Sequence, residues 1–285
     1  NQPENHVLMN DALSVVTAYQ KRFMVCEAPD NPSAFASATS CGRAFSFEAP
    51  GAIFSSVRNN RVDAGLISLL GTFRGDALPW FLSNHDSFAG DRVWNQLNGD
   101  VEQYKLAAAT YLLTSRNPFM YYGEELGMAN AAGLSGDHAL RTPMSWTGDA
   151  VTGGFSAVIP FRELSANVAS NNVADEEGDE SSLLEYYRGL QQLRAAHPVI
   201  GSGDLVWESI AGEPVLRFRR EGSTSTAVVA INYVATQQQV SVATSLAGLT
   251  FTAVLGASDQ RIADGSGSLT VDVPPRSAVV YVGQP

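Results

Sequence analysis

Four short apolar runs in the first 200 residues stop abruptly at polar or acidic side chains, and this constrains the fold more than anything else in the sequence. RFMVCEA (22–28) halts at Glu27, AFSFE (44–48) at Glu48, and PWFLSNHD (79–86) at Asn84, His85 and Asp86. NPFMYYGEE (117–125) runs into Glu124 and Glu125. Each run is too short and too continuously apolar for a half-exposed strand, and reads as a strand buried on both faces. Between and around them lie stretches with helical apolar spacing: 7–20, 51–70 (one helix, or two with a break), 101–115 and 180–196. Short buried strands alternating with helices predict parallel βα units, an α/β fold.

The strand count does not close. A complete (β/α)8 barrel takes roughly 250 residues, whereas about 200 residues here supply four strands, and 126–178 is long, irregular and rich in Gly, Asn and Asp. Half a barrel leaves bare strand edges, which proteins usually cover. Either the sheet is open or another half lies outside this sequence. After Gly201 the helical signal disappears. DLVWESI, PVLRFRR, TAVVAINY, QQVSVAT, FTAVLG, SLTVDV and SAVVYVG are short, β-branched and separated by Gly, Ser, Asp or Pro. They predict an antiparallel β-sandwich. The expected organisation is thus a partial barrel over 1–200 and an all-β sandwich over 201–285.

The formal charge of −11, with lysine only at positions 21 and 105, argues against nucleic acid and anionic membranes as partners. A neutral substrate fits. The longest apolar stretches, such as LAAATYLL (106–113), are too short to span a bilayer. The N-terminus has neither an initiator Met nor a signal-like region, so a processed or truncated start is expected. Cys26 and Cys41 are too few for a disulfide scaffold and lack metal-site spacing, so they either pair or stay free. His6, His85, His138 and His197 are scattered, and no metal cluster is expected. No GxSxG elbow or Gly-rich phosphate loop occurs.

In parallel α/β folds the carboxyl ends of strands carry the site. A carboxylate following a buried run is half-desolvated, so its pKa is open to tuning. Two carboxylates on neighbouring strands are what glycosidic cleavage requires: one protonates the leaving oxygen, and anionic groups stabilise positive charge on the sugar ring. Any single acid after a strand is more often a helix cap or loop residue. The conjunction is more specific. FLSNHD (81–86) closely resembles the F-x-x-N-H-D segment that ends the seventh barrel strand of the α-amylase family, glycoside hydrolase family 13. In the same order, FMVCEAPD (23–30) resembles the family's fifth-strand segment, AFSFEAPGAI (44–53) the sixth, and PFMYYGEELGM (118–128) the eighth strand and its exit. LRTPMSW (140–146) resembles the Arg-x-Pro-Met-x-Trp stretch of oligo-1,6-glucosidase-like and some α-amylase branches. SLLEYYRGLQQLRAAHPVI (182–200) matches the last barrel helix.

The resemblance implies strands five to eight of the barrel, followed by the C-terminal sandwich, and a retaining mechanism through a covalent glycosyl intermediate. It implies Glu27 as general acid/base, with the apolar run around it expected to raise its pKa, and Cys26 (Gly in many members) packed away from the cleft. Asp86 would hold two sugar hydroxyls and stabilise the oxocarbenium-like transition state, and His85 would bond the same ring. Asn84 is expected chiefly to brace the turn. Arg92 follows at an unusual spacing, and Arg141 reads either as entrance-lining or as a structural ion pair; both are carried as substrate-binding candidates. Phe47 and Tyr121 are expected in the core, and Glu48, Glu124 and Glu125 as loop-orienting groups.

The family's nucleophilic Asp belongs to the fourth strand, and no matching segment exists here. Asp63 and Asp76 follow no buried strand in the required order and are set aside. Implied partners are an α-glucan or maltooligosaccharide and the N-terminal barrel half; calcium, common in the family, would take its ligands largely from that half. Two alternatives stand beside an α-glucan hydrolase: a transglycosidase or isomerase of the trehalose synthase type, and a non-catalytic carbohydrate-binding fragment. An acidic glucan hydrolase is expected outside the cytoplasm.

Overall fold

The computed structural model describes residues 2–72 and 77–284; Asp76 lies outside the described residues. The four apolar runs are extended and lie side by side in chain order, joined by isolated hydrogen bonds. The Cys26 amide donates to the Arg43 carbonyl (2.9 Å), and the Phe45 amide donates back to Cys26 (3.0 Å), a parallel bridge between Cys26 and Ala44. Ala44 and Ser46 donate to the carbonyls of Ala77 and Pro79 at 3.0 and 3.1 Å, and Phe119 donates to Trp80 at 2.8 Å. The parallel order matches expectation; regular strands do not form in these runs. Pro79 and Pro118 bring no N–H to the ladder, which interrupts pairing where the third and fourth runs begin.

Helices supply the packing that these runs lack. Val101–Thr114 starts at Asp100, whose side chain accepts from the Gln103 amide, and buries every residue from Leu106 to Thr114. Leu183–Ala196 starts at Ser182, whose hydroxyl accepts from Glu185, and packs Leu183, Tyr187, Leu190 and Leu193 against the first helix in one shared core. The 51–70 stretch forms two helices, Ala49–Arg58 and Ala64–Thr72. Asn60 at φ +52° turns the chain between them. Asp63 accepts from Ser55 Oγ (2.5 Å) and the Gly65 amide (2.7 Å), so it is a structural cap. The first helix, Pro3–Thr17, has no buried residue.

From Asp204 onward the chain is antiparallel β. The strands are β1 (Asp204–Trp207), β2 (Val215–Glu221), β3 (Thr226–Asn232), β4 (Gln238–Ala243), β5 (Thr250–Leu255), β6 (Gln260–Ile262), β7 (Ser268–Val273) and β8 (Ala278–Gly283). They form a sheet in the order β1-β2-β3-β8-β5-β6 and a pair β4-β7. Seven match the expected runs; β6, three residues beside β5, was not foreseen because so short a strand has no periodicity to read. β3 and β8 are buried along their whole length. One face of the large sheet, with Val228, Ala230, Val279 and Tyr281, packs on Val242, Leu269, Val271 and Val273 from the β4-β7 pair. The other face, with Leu216, Phe218, Val229, Ile231 and Val280, packs on the helices through Leu106, Tyr111 and Leu190. Tyr233 Oη and Thr110 Oγ1 hydrogen-bond across that seam at 2.9 Å.

Candidate active site

The runs that end in Glu27 and in Asn84–His85 meet at one cavity of about 180 Å³. Phe45, Phe47, Phe81, Phe119 and Tyr121 wall it together with Met120 and Ser83. Alternation along the second run explains the wall: Phe45 and Phe47 point into the cavity, while Ala44 and Ser46 between them are buried on the opposite side. The rings lock edge to face, Phe45 on Phe81 at 5.7 Å and on Phe119 at 4.8 Å, and Phe47 on Phe81 at 5.2 Å, a geometry that aromatic quadrupoles favour. Phe47 and Tyr121, expected in the core, thus line the site.

Glu27 lines this cavity but is itself exposed, so the apolar enclosure expected around its carboxylate is not formed by the described residues. Cys26 points the other way, as expected. It is disulfide-bonded to Cys41 and lies 3.6 Å from the Met9 sulfur on the first helix. Successive side chains of an extended run face opposite ways, so the bridge leaves Glu27 on the cavity side.

The turn after the third run is held by its own polar groups. Asn84 Oδ1 accepts from the Asp86 amide at 2.8 Å, an Asx turn, so Asn84 braces the turn while also lining the cavity. His85 Nε2 lies 3.1 Å from Asp86 Oδ2. Arg141 donates to Asp86 Oδ1 at 2.6 Å and, through Nε, to the His85 carbonyl at 2.9 Å. Asp86 is therefore engaged at the rim by Arg141 and is not among the cavity-lining residues. Arg141 also borders a second, open cavity of about 580 Å³ with Tyr122, Trp146, Phe155 and Phe161.

Arg92 is a correction. Its guanidinium is 1% exposed and donates to the carbonyls of Leu140 (3.0 Å) and Tyr122 (2.9 Å) and to Thr142 Oγ1 (3.3 Å). It also sits over the Tyr121 and Tyr122 rings, 4.8 and 5.0 Å from their centroids. Buried and bonded to protein through these three donors, it braces the loops around the site and does not line the cavity.

The YYGEELGM segment shows why its glycines are there. Gly123 and Gly127 have φ of +78° and +66°, and a Cβ would come within 2.3 Å of Met128 Sδ at the first and 2.6 Å of Leu183 Cδ1 at the second. Between them Glu124 is buried, with Oε1 accepting from Tyr111 (2.6 Å) and Tyr187 (2.9 Å), while its carbonyl accepts from Tyr104 (2.7 Å). Burial raises its pKa to about 8. The carboxyl anchors the turn that carries Tyr121 onto the two principal helices. The sequence marked Glu124 as loop-orienting, but gave no sign that three tyrosines from two helices would converge on it.

Among the described residues no group of three or more His, Cys, Asp or Glu side chains is placed to hold a metal. No helix among the described residues is long and apolar enough to cross a membrane.

A family model described as "Alpha amylase, catalytic domain" matches residues 1–203. The alpha-amylase SusG of Bacteroides thetaiotaomicron is 37% identical over 134 residues, 46% of this chain and 18% of that protein. A trehalose synthase of Thermus thermophilus is 30% identical over 150 residues, 50% of this chain and 15% of that protein. The crystal structure of an alpha-amylase from H. orenii superposes with a TM-score of 0.76 at 22% identity, covering 99% of this chain and 57% of that one. That likeness shows the fold of barrel plus β domain, and the chain spans little more than half of it. The order of the four runs, the N-H-D turn and the family match agree: this chain belongs to the alpha-amylase family, glycoside hydrolase family 13.

Proposed function

We propose that the chain carries the acid-bearing part of a retaining glycosidase acting on α-glucans or maltooligosaccharides, and that its nucleophilic carboxylate lies on polypeptide beyond these 285 residues. The observation that carries this reading is the meeting of Glu27 with Asn84 and His85 at one aromatic-walled cavity, at the carboxyl ends of neighbouring parallel runs. Glu27 protonates the glycosidic oxygen as the bond to the anomeric carbon breaks and the external carboxylate closes on that carbon. The resulting Glu27 carboxylate then takes a proton from the water that releases the sugar. His85 and Asp86 hold ring hydroxyls, and the negative charge of Asp86 favours the oxocarbenium-like transition state.

The runs are read as strands five to eight, residues 1–200 as a partial barrel and 201–285 as the C-terminal domain. Phe23, Phe119 and Met120 support this, since at 44%, 36% and 43% exposure they leave apolar surface on these runs that further barrel wall would cover. The same wall would enclose Glu27 and bring the desolvation that a general acid needs.

Glu27→Gln in the full-length protein tests the assignment. The swap is isosteric, so the melting temperature should hold, while kcat on maltooligosaccharides should fall about 10²–10⁴-fold; near-normal turnover would remove Glu27 from the acid role. A second reading, transfer of the glycosyl group to a sugar, is favoured by LRTPMSW and by the relative named trehalose synthase. Chromatography of the products from maltose separates the two, because isomerised or lengthened sugars would count against hydrolysis.

A further inference from the structure

Asp137 stands outside the cavity, yet it closes a ring of bonds around the turn that carries Asp86. Its Oδ1 accepts from both the amide and the hydroxyl of Ser87, each at 2.8 Å. Its Oδ2 accepts from the same Arg141 nitrogen, at 2.9 Å, that reaches Asp86 Oδ1 at 2.6 Å. Arg141 in turn holds the His85 carbonyl. Three consecutive residues of the turn, His85, Asp86 and Ser87, are thus tied to a segment some fifty positions away. Every bond passes through Asp137 or through the arginine it holds.

We infer that Asp137 is a positioning residue, which sets where the Asp86 carboxylate and the His85 ring stand relative to a bound sugar. The inference rests on the proposed roles of His85 and Asp86 at the sugar ring. Arg141 sits between two carboxylates, and without Asp137 this half-exposed guanidinium keeps only Asp86 as its ionic partner. The two Ser87 donors lose their shared acceptor at once. As a stabilising pair the exposed Asp137–Arg141 bridge contributes little, because solvent screens it. Its effect on geometry is larger, because a displacement of about 1 Å in a catalytic group costs on the order of 10²-fold in rate.

The test compares Asp137→Ala, Asp137→Asn and Ser87→Ala in the full-length protein on a maltooligosaccharide, with Glu27→Gln alongside. Asp137→Ala is expected to lower kcat/KM about 10- to 100-fold, mostly in kcat, because Asp86 counts most in the transition state. Asp137→Asn keeps an acceptor for Ser87 but loses the charge facing Arg141, and should recover part of the loss. Ser87→Ala should cost less than Asp137→Ala, and the double variant Ser87→Ala/Asp137→Ala should be no worse than Asp137→Ala alone. All should melt near the parent temperature. Asp137→Ala within twofold of the parent, or a loss of kcat that follows a fall in melting temperature, overturns the inference. The Glu27 result is separate: an active Glu27→Gln variant sinks the acid assignment and leaves the Asp137 comparison to be read by itself.

Discussion

The two β regions of this chain are built on opposite principles. In the first, four parallel runs touch through one or two backbone hydrogen bonds per neighbouring pair, and Glu27 and the Asn84–His85–Asp86 turn stand at their ends. In the second, β3 pairs with β8 through six consecutive partners and with β2 through seven. Both faces of that sheet are covered, one by the β4-β7 pair and one by the helices. Continuous ladders and two-sided burial suit a part whose task is to hold shape. Loose pairing with polar ends leaves backbone and side chains available for a substrate, and its order is imposed by the helices behind it. The continuous ladders and the candidate site are therefore assigned to different stretches of one chain.

That contrast can be broken most sharply in the sheet. Ile231 in β3 is fully buried within the core shared with the helices, so Ile231→Ala should cost about 2–5 kcal/mol in denaturant unfolding. Val25→Ala in the first parallel run, where the side chain is only partly buried, should cost about 1 kcal/mol or less. Equal losses would erase the distinction.

A pH-dependent effect is expected at Glu124. Its folded-state pKa of about 8 lies above the ordinary carboxylate value of 4.5, so the folded chain keeps a proton that the unfolded chain releases. The stabilisation is complete below about pH 4.5 and is lost as pH rises through 8. Thermal unfolding across pH 5 to 9 should therefore show the parent losing stability relative to Glu124→Gln; parallel curves would mean that the carboxyl is already charged when folded. The smallest effect belongs to the surface link between the regions, Arg276 Nη1 to Glu102 Oε2 at 2.7 Å. Arg276→Gln should change unfolding free energy by less than about 1 kcal/mol, and less again in high salt.

Much of this arrangement was legible in the residues because it rests on local pattern. Apolar runs stopping at acids gave the parallel order, helical apolar spacing placed helices at 101–115 and 180–196, and β-branched runs gave seven of the eight strands. What stayed hidden depends on where distant groups meet. Arg92, six residues after Asp86, and Arg141, inside LRTPMSW, both read from the sequence as substrate-binding candidates. Only the carbonyls of Tyr122 and Leu140 closing over Arg92 separate a buried brace from the arginine at the rim. Asp137 has the same history: nothing near it announces Ser87, fifty positions earlier. The pairing of Cys26 with Cys41 was equally open, because spacing alone does not bring two sulfurs together.

The shared seam between helices and sheet also bears on how this protein can be taken apart. Val229, Ile231 and Val280 turn one face of the large sheet toward Leu106, Tyr111 and Leu190, so a cut near Gly203 would strip apolar cover from both fragments. The junction is a convenient place to divide the sequence on paper and a poor one for exchanging modules between relatives: a transplanted C-terminal piece would arrive with a greasy back and no matching helices to receive it.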